Sequence, residues 1–241
     1  MISFENVSKV FGQGSTQVQV LKNLTFSVPQ GQFCTVMGPS GSGKSTILHL
    51  AAGLTPLSAG EVHVDDVRLA QMTDRDAALF RRRRIGIVFQ FFHLLPYLTA
   101  EENVALPLLL DGCPNSTITK STERVLRLVE LLDRRHHKPA ELSGGQMQRA
   151  AIARALVTRP RVILADEPTG NLDSTASTAI MQLLRRSNAE LGVTILMVTH
   201  DPVCASYGQR VIRVMDGRIV EDIDVGETPP RLSLVRPVSG A

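Results

Sequence analysis

Apolar and polar positions alternate along the first thirty residues: Ile2 and Phe4, then Val18 and Val20, then Leu24, Phe26 and Val28. A period of two puts apolar side chains on one face of a pleated strand, so the pattern predicts short antiparallel strands joined by the turn-like GQGS at 12–15. The apolar run QFCTVMG at 32–38 predicts a buried strand, followed at once by a Gly/Ser-rich loop and a helical stretch at 45–53. Beyond a Gly/Pro-rich turn over 54–60, EVHVDDVRL at 61–69 alternates again as one strand. Residues 73–84 are polar and helix-compatible, and IGIVFQ at 85–90 reads as a further buried strand.

The pattern changes over 91–138. Apolar residues recur at helical spacing (Val125, Leu128, Val129, Leu132) and turn residues gather in DGCPNS, so a helical insert is expected there. A helix opening at 144–158, strand VILAD at 162–166, a helix over 174–190, strand 193–200 and a hairpin at 211–222 follow. Strands alternating with helices predict an α/β layer fold with a mostly parallel sheet. One domain is expected over 1–225, with a helical part at about 91–158 and a Pro/Gly-rich loose tail over 226–241.

Composition narrows the class without naming a function. Hydrophobic residues make up 43% and charged residues 20% of 241, which excludes a mostly disordered chain. The net charge of +3 permits a membrane-surface or nucleic-acid partner but does not require one. Cys34, Cys113 and Cys204 are widely spaced and odd in number, the usage of reduced thiols rather than a disulfide or zinc framework. The N-terminal stretch lacks the apolar core of a secretory signal, and no apolar run approaches the roughly 20 residues of a membrane helix. Any membrane spans are therefore expected from another polypeptide.

The chemistry begins at 38–46. Gly38, Pro39, Ser40, Gly41, Ser42, Gly43, Lys44, Ser45 and Thr46 match G-x-x-x-x-G-K-[ST], placed between a predicted strand and a predicted helix. The glycines let backbone N–H groups curl around phosphate oxygens at a helix N-terminus that already favours anions. Lys44 is expected to reach the β- and γ-phosphates, Ser45 to offer its hydroxyl to Mg²⁺, and Thr46 to sit near the α-phosphate. VILADEPTG at 162–170 supplies the second half of such a site. Its four apolar residues end at Asp166, placed to hold the metal, and Glu167 follows, pointing elsewhere and able to polarise a water aimed at the γ-phosphate. LSGGQ at 142–146 opens a helix-forming stretch, so Ser143, Gly144, Gly145 and Gln146 offer a hydroxyl and free N–H groups as a second anion site.

With a P-loop, LSGGQ and VILADE in that order, the chain resembles the ATP-binding cassette (ABC) ATPases from about residue 2 to 222. The resemblance implies a P-loop NTPase fold with a RecA-like, mostly parallel sheet core, an N-terminal antiparallel β subdomain and a helical signature subdomain. It also implies an ATP-hydrolysing subunit with ATP and Mg²⁺ bound. Phe11 stands where the family stacks an aromatic on adenine. Gln90 matches the glutamine that contacts Mg²⁺ and water and senses the membrane partner. Asp173, in NLD at 171–173, matches the residue that crosses the dimer interface. His200 matches the switch histidine that contacts the γ-phosphate, and Glu167, His200 and Gln90 are the catalytic candidates. Two such domains pack head to tail, so the LSGGQ of one faces the ATP on the P-loop of the other; a homodimer is the simplest closed arrangement.

VFQFFHLLPYLTAEENVALPL at 88–108 and ADEPTGNLD at 165–173 further resemble the lipoprotein-releasing, macrolide-exporting and cell-division subgroup (LolD, MacB and FtsE-like proteins). That implies a separate permease energised for export, lipoprotein release or envelope work, and a peripheral place at the cytoplasmic face of the membrane. Phe91, Phe92, Leu94, Leu95 and Tyr97 are candidates to line the permease groove. The rival expectation is a soluble ABC-type ATPase acting on nucleic acid or ribosomes, although the coiled coils, zinc modules or second cassette of such proteins are not seen and no nucleic-acid partner is expected. The run Arg81–Arg84 reads as a solvated helix face. His136 and His137 lack metal-ligand spacing, and no structural metal is assigned.

Overall fold

The computed structural model describes residues 1–226, so all but the first residue of the expected tail lies outside the described residues. The alternation of the first thirty residues becomes β1 (Ile2–Phe11) and β2 (Val18–Val28), paired antiparallel with Ile2 opposite Val28 and Phe4 opposite Phe26. The rings of Phe4 and Phe26 stack at 4.6 Å between centroids, a cross-strand pair of the kind that stabilises a sheet. The expected single strand at 61–69 is corrected to a hairpin. β4 (Ala59–Val64) turns back at Asp65 and Asp66 into the short β5 (Val67–Arg68), both aspartates taking left-handed backbone (φ 52° and 62°). Aspartate tolerates that conformation better than most residues, and its appearance twice in succession closes the turn. These strands form a four-stranded antiparallel sheet, β2–β1–β4–β5.

The second sheet is the core. β3 (Phe33–Met37), β6 (Ile85–Val88), β7 (Val162–Asp166), β8 (Thr194–Thr199), β9 (Arg210–Met215) and β10 (Arg218–Asp224) lie in the order β10–β9–β3–β8–β7–β6, all parallel except the hairpin edge β10. Every residue of β8 is buried, as expected of a parallel strand covered on both faces. Alternate side chains of the central strands enter two different cores. Phe33, Ile163, Ala165, Ile195 and Met197 join a cluster with Val104, Leu126, Ile152 and Leu184. Cys34, Val36, Val162, Leu164, Leu196 and Val198 join the other, with Phe4, Leu21, Ile47 and Phe80.

The helices follow from local signals. α1 (Lys44–Ala51) opens on the glycine loop. α2 (Asp74–Arg84) starts where the Thr73 hydroxyl caps the Asp76 N–H, and α3 (Ala100–Leu110) starts in a capping box of Thr99 and Glu102. α4 (Asn115–Leu128) and α5 (Gly144–Leu156) pack with α3 over 91–158, and α6 (Ser174–Leu191) and the four-residue α7 (Pro202–Ala205) complete the set. Arg83 and Arg84 are exposed, as a solvated face requires, and the run also makes specific contacts. Arg81 donates to the carbonyl of Gly53 at 3.0 Å, Arg82 to that of Leu110 at 2.6 Å, Arg83 grips Asp111 at 2.9 Å, and Arg84 lies 3.5 Å from Asp65. The run ties α2 to three separate parts of the chain.

Candidate active site

Four strands end side by side. β3, β8, β7 and β6 are successive neighbours, with Met37 level with Thr199, Val198 with Asp166, and Ala165 with Val88. Their carboxyl ends open at one edge of the sheet, which is where open parallel sheets bind ligands. The loops leaving that edge carry, in spatial order, the P-loop, His200, the Asp166–Glu167 pair and Gln90.

The P-loop needs its glycines for two different reasons. A Cβ on Gly38 would lie 2.2 Å from the carbonyl oxygen of Val214, so only glycine lets β3 exit beside β9. Gly43 takes left-handed backbone (φ 100°) at the N-cap of α1, and a Cβ there would also strike Leu21 at 2.6 Å. Buried Lys44 begins α1 and donates to the carbonyls of Gly38 and Pro39 at 2.9 Å each, so its ammonium is held inside the loop it serves. One residue on, the Ser45 hydroxyl donates to Asp166 Oδ1 at 3.1 Å, joining the two halves of the site. Burial holds the Asp166 carboxyl above the ordinary aspartate value. The Ser45 hydrogen bond and the nearby His49 and Lys44 oppose that rise, and Glu167 adds to it. A hydroxyl and a desolvated carboxylate are hard oxygen donors of the kind Mg²⁺ takes, so the Ser45–Asp166 pair fits that ion.

Glu167 has left-handed backbone (φ 43°), a strained conformation for its type, and its N–H still donates to the Val198 carbonyl at 3.0 Å. The turn directs its carboxylate to His200, whose Nδ1 lies 2.6 Å from Glu167 Oε2. The glutamate side chain is 17% exposed and the imidazole 58%, so the histidine is the partner that faces outward.

Gln90 lies two residues beyond β6 and packs over Gly170, where a Cβ would come within 2.7 Å of its Nε2. Asn171 Nδ2 donates to the Gln90 carbonyl at 3.1 Å. From below, α5 holds both flanks: Gln148 donates to the Phe89 carbonyl at 3.4 Å, and Arg154 to those of Phe92 at 2.8 Å and His93 at 2.6 Å. Phe92 and His93 both have left-handed backbone (φ 57° and 48°), and burial pulls the Arg154 pKa below its ordinary value.

Ser143 and Gln146 form a reciprocal capping box at the start of α5, the Ser143 Oγ accepting from the Gln146 N–H at 3.3 Å and the Ser143 N–H donating to Gln146 Oε1 at 2.9 Å. Gly144 and Gly145 approach Leu172 and Ala176 closely: added Cβ atoms would lie 3.2 and 3.3 Å from them. Asp173 caps α6 by accepting from the Ala176 N–H at 2.9 Å. Among the described residues no hydrogen bond joins this turn to the P-loop. Phe11, at the end of β1, is 43% exposed and carries the Lys9 ammonium 4.6 Å from its ring centroid.

Residues not singled out by pattern also shape the site. Asp201 caps α7 ahead of Pro202, a legible cap signal, while Thr169, Cys204, Asn171 and Arg154 act through partners far away in the chain.

Comparison with known proteins places the geometry in context. Residues 21–170 match the family model described as ABC transporter. An uncharacterised ABC transporter ATP-binding protein of Methanocaldococcus jannaschii is 46% identical over 224 residues, covering 93% of this chain and all of the relative. The lipoprotein-releasing system ATP-binding protein LolD of Koribacter versatilis is 44% identical over 223 residues, covering 92% of this chain and all of that protein. Among solved structures, the dimeric post-hydrolysis state of the ATP-binding cassette MJ0796 bound to ADP and Pi superposes with a TM-score of 0.86 at 41% identity, covering 95% of this chain and all of that one.

Proposed function

The chain belongs to the ABC transporter family, and from that membership together with the site geometry we propose that it is the Mg²⁺-dependent ATP-hydrolysing subunit of a transport complex, energising a separate membrane permease for export, lipoprotein release or envelope work. The observation that carries the reading is the convergence of Lys44, the Ser45–Asp166 pair and the Glu167–His200 pair at the ends of three adjacent parallel strands.

The N–H groups of the P-loop cradle the phosphates of ATP, and Lys44 turns its donors from the Gly38 and Pro39 carbonyls to the β- and γ-oxygens. Ser45, Asp166 and Gln90 would hold Mg²⁺, which supplies charge neutralisation between those phosphates. Glu167 orients a water on the γ-phosphorus and accepts its proton as the new P–O bond forms and the bond to the β–γ bridging oxygen breaks, releasing ADP and phosphate. With a proton on both ring nitrogens, His200 donates from Nδ1 to the Glu167 carboxylate and from Nε2 to the γ-phosphate. The exposed Phe11 stacks on adenine.

Ser143, Gly144, Gly145 and Gln146 complete the site of a second copy, with Asp173 at the interface, so ATP closes a head-to-tail homodimer and hydrolysis opens it. The exposed Phe91 (66%) and Tyr97 (86%), on the segment anchored by Arg154, face the permease. Among the described residues no helix is long and apolar enough to cross a membrane, and the chain works as a peripheral subunit at its cytoplasmic face.

The test is recovery of the tagged Glu167→Gln chain from its host in Mg-ATP after detergent extraction. A stoichiometric polypeptide with membrane spans is the expected companion. Recovery with ribosomes or nucleic acid instead would replace this reading with that of a soluble ABC-type ATPase.

A further inference from the structure

His200 and Glu167 leave neighbouring strands, β8 and β7, held side by side as far as the bond from the Glu167 N–H to the Val198 carbonyl at 3.0 Å; beyond it the two loops are joined by side chains. Asp201, next to His200, uses both carboxylate oxygens: Oδ1 accepts from the Val203 N–H at 2.7 Å, and Oδ2 lies 3.3 Å from Cys204 Sγ. The same sulfur lies 3.2 Å from the Thr169 hydroxyl. An ionised carboxylate can only accept, so the single S–H proton of Cys204 points to Asp201, and the Thr169 hydroxyl must then donate to sulfur. The hydrogen bonds run in one direction, Thr169 to Cys204 to Asp201.

Both ends of this relay touch the site. Thr169 sits in the turn that follows Glu167, closed by the Gly170 N–H donating to the Glu167 carbonyl at 3.0 Å. Asp201 is pinned to the end of β8 by its own N–H donating to Thr199 Oγ1 at 3.0 Å. The sulfur is buried and packs with the core that includes Met181 and Met197, and burial drives the thiol pKa up to about 11, which keeps the proton on sulfur. Thr169, Cys204, Glu167 and His200 line one cavity of about 380 Å³.

We propose that Cys204 is a positioning residue that locks the Glu167 turn to the His200 loop through the Thr169–Cys204–Asp201 relay, and so sets the Glu167–His200 contact. The importance of that contact for turnover rests on the function proposed above; its geometry does not.

The test compares Cys204→Ala, Cys204→Ser and Thr169→Val in the full chain. It reads kcat and KM for ATP, thermal stability, and the side-chain ¹H–¹⁵N signals of His200, assigned with His200→Gln. Serine keeps one donor and one acceptor at the relay, whereas alanine and valine break it. The expected result is a His200 Nδ1 signal bonded to carboxylate in the parent and in Cys204→Ser, lost in Cys204→Ala and in Thr169→Val. With it, kcat falls about tenfold at nearly constant KM, within the loss of up to about 10² that misplacement by about 1 Å can cause. An unchanged His200 signal in folded Cys204→Ala and Thr169→Val overturns the proposal. A parent chain without ATPase activity would sink the functional reading alone, and the His200 signal would still decide the relay.

Discussion

The Nδ1 atom of His200 lies 2.6 Å from Oε2 of Glu167, although the two residues leave different strands. A carboxylate gripped in this way is aimed rather than merely present, and the left-handed backbone of Glu167 is the local cost of that aim. Replacing His200 by alanine frees the carboxylate and removes a preorganised donor. The expected outcome is a fall in kcat of about 10²–10³ with ATP affinity retained, checked by steady-state hydrolysis beside nucleotide binding.

Asp166 couples function to stability with a definite sign. Its pKa is higher in the folded chain than in the unfolded one, chiefly from burial, so the folded chain holds that proton more tightly. Stability is therefore lost as pH rises from the ordinary aspartate value through the raised one. Asp166→Asn keeps an Oδ1 acceptor for Ser45 but carries no charge. Without nucleotide and in chelator, the variant should melt higher than the parent at neutral pH, with the gap closing as pH falls below the ordinary aspartate value. The same variant should lose Mg²⁺-dependent hydrolysis.

Gly170 leaves the space that Gln90 fills. A Cβ there meets the far end of a flexible side chain rather than backbone, so Gly170→Ala should change stability by no more than about 1 kcal/mol. It should nevertheless push Gln90 off its place and lower kcat about tenfold. Equal rates in parent and variant would remove Gln90 from the site.

Arg154 spans the signature helix and the turn beyond Gln90. Arg154→Met deprives the part-buried Phe92 carbonyl and the exposed His93 carbonyl of their donor and should cost about 1–2 kcal/mol in denaturant unfolding. Cleavage within 91–98 by a nonspecific protease should rise with it. Lysine should restore only part, because one ammonium does not reproduce the planar fork of guanidinium.

What was legible in the chain was local. GPSGSGKST lies within nine residues and VILADE within six, and each stands at the end of an apolar run, so strand, loop and chemistry appear together. The strand read at 61–69 is broken at Asp65 and Asp66, where the alternation slips by one residue between Val64 and Val67, and the left-handed backbone that closes the turn is recorded by no hydropathy pattern. The contacts of the arginine run were not legible because their acceptors, Gly53, Leu110 and Asp111, lie 28 residues away in sequence. The Cys204–Thr169 contact spans 35 residues and the Arg154–His93 contact 61, and such pairs exist only once the sheet order is set.

The most direct test of the whole account is ATP hydrolysis by the purified chain and by Glu167→Gln, each followed by gel filtration in Mg-ATP. The expected result is a hydrolysing parent, a variant slower by about 10²–10⁴, and elution of that variant as a dimer because ATP stays trapped between two copies. A variant that keeps the parent's rate, or that remains a monomer in Mg-ATP, would contradict it.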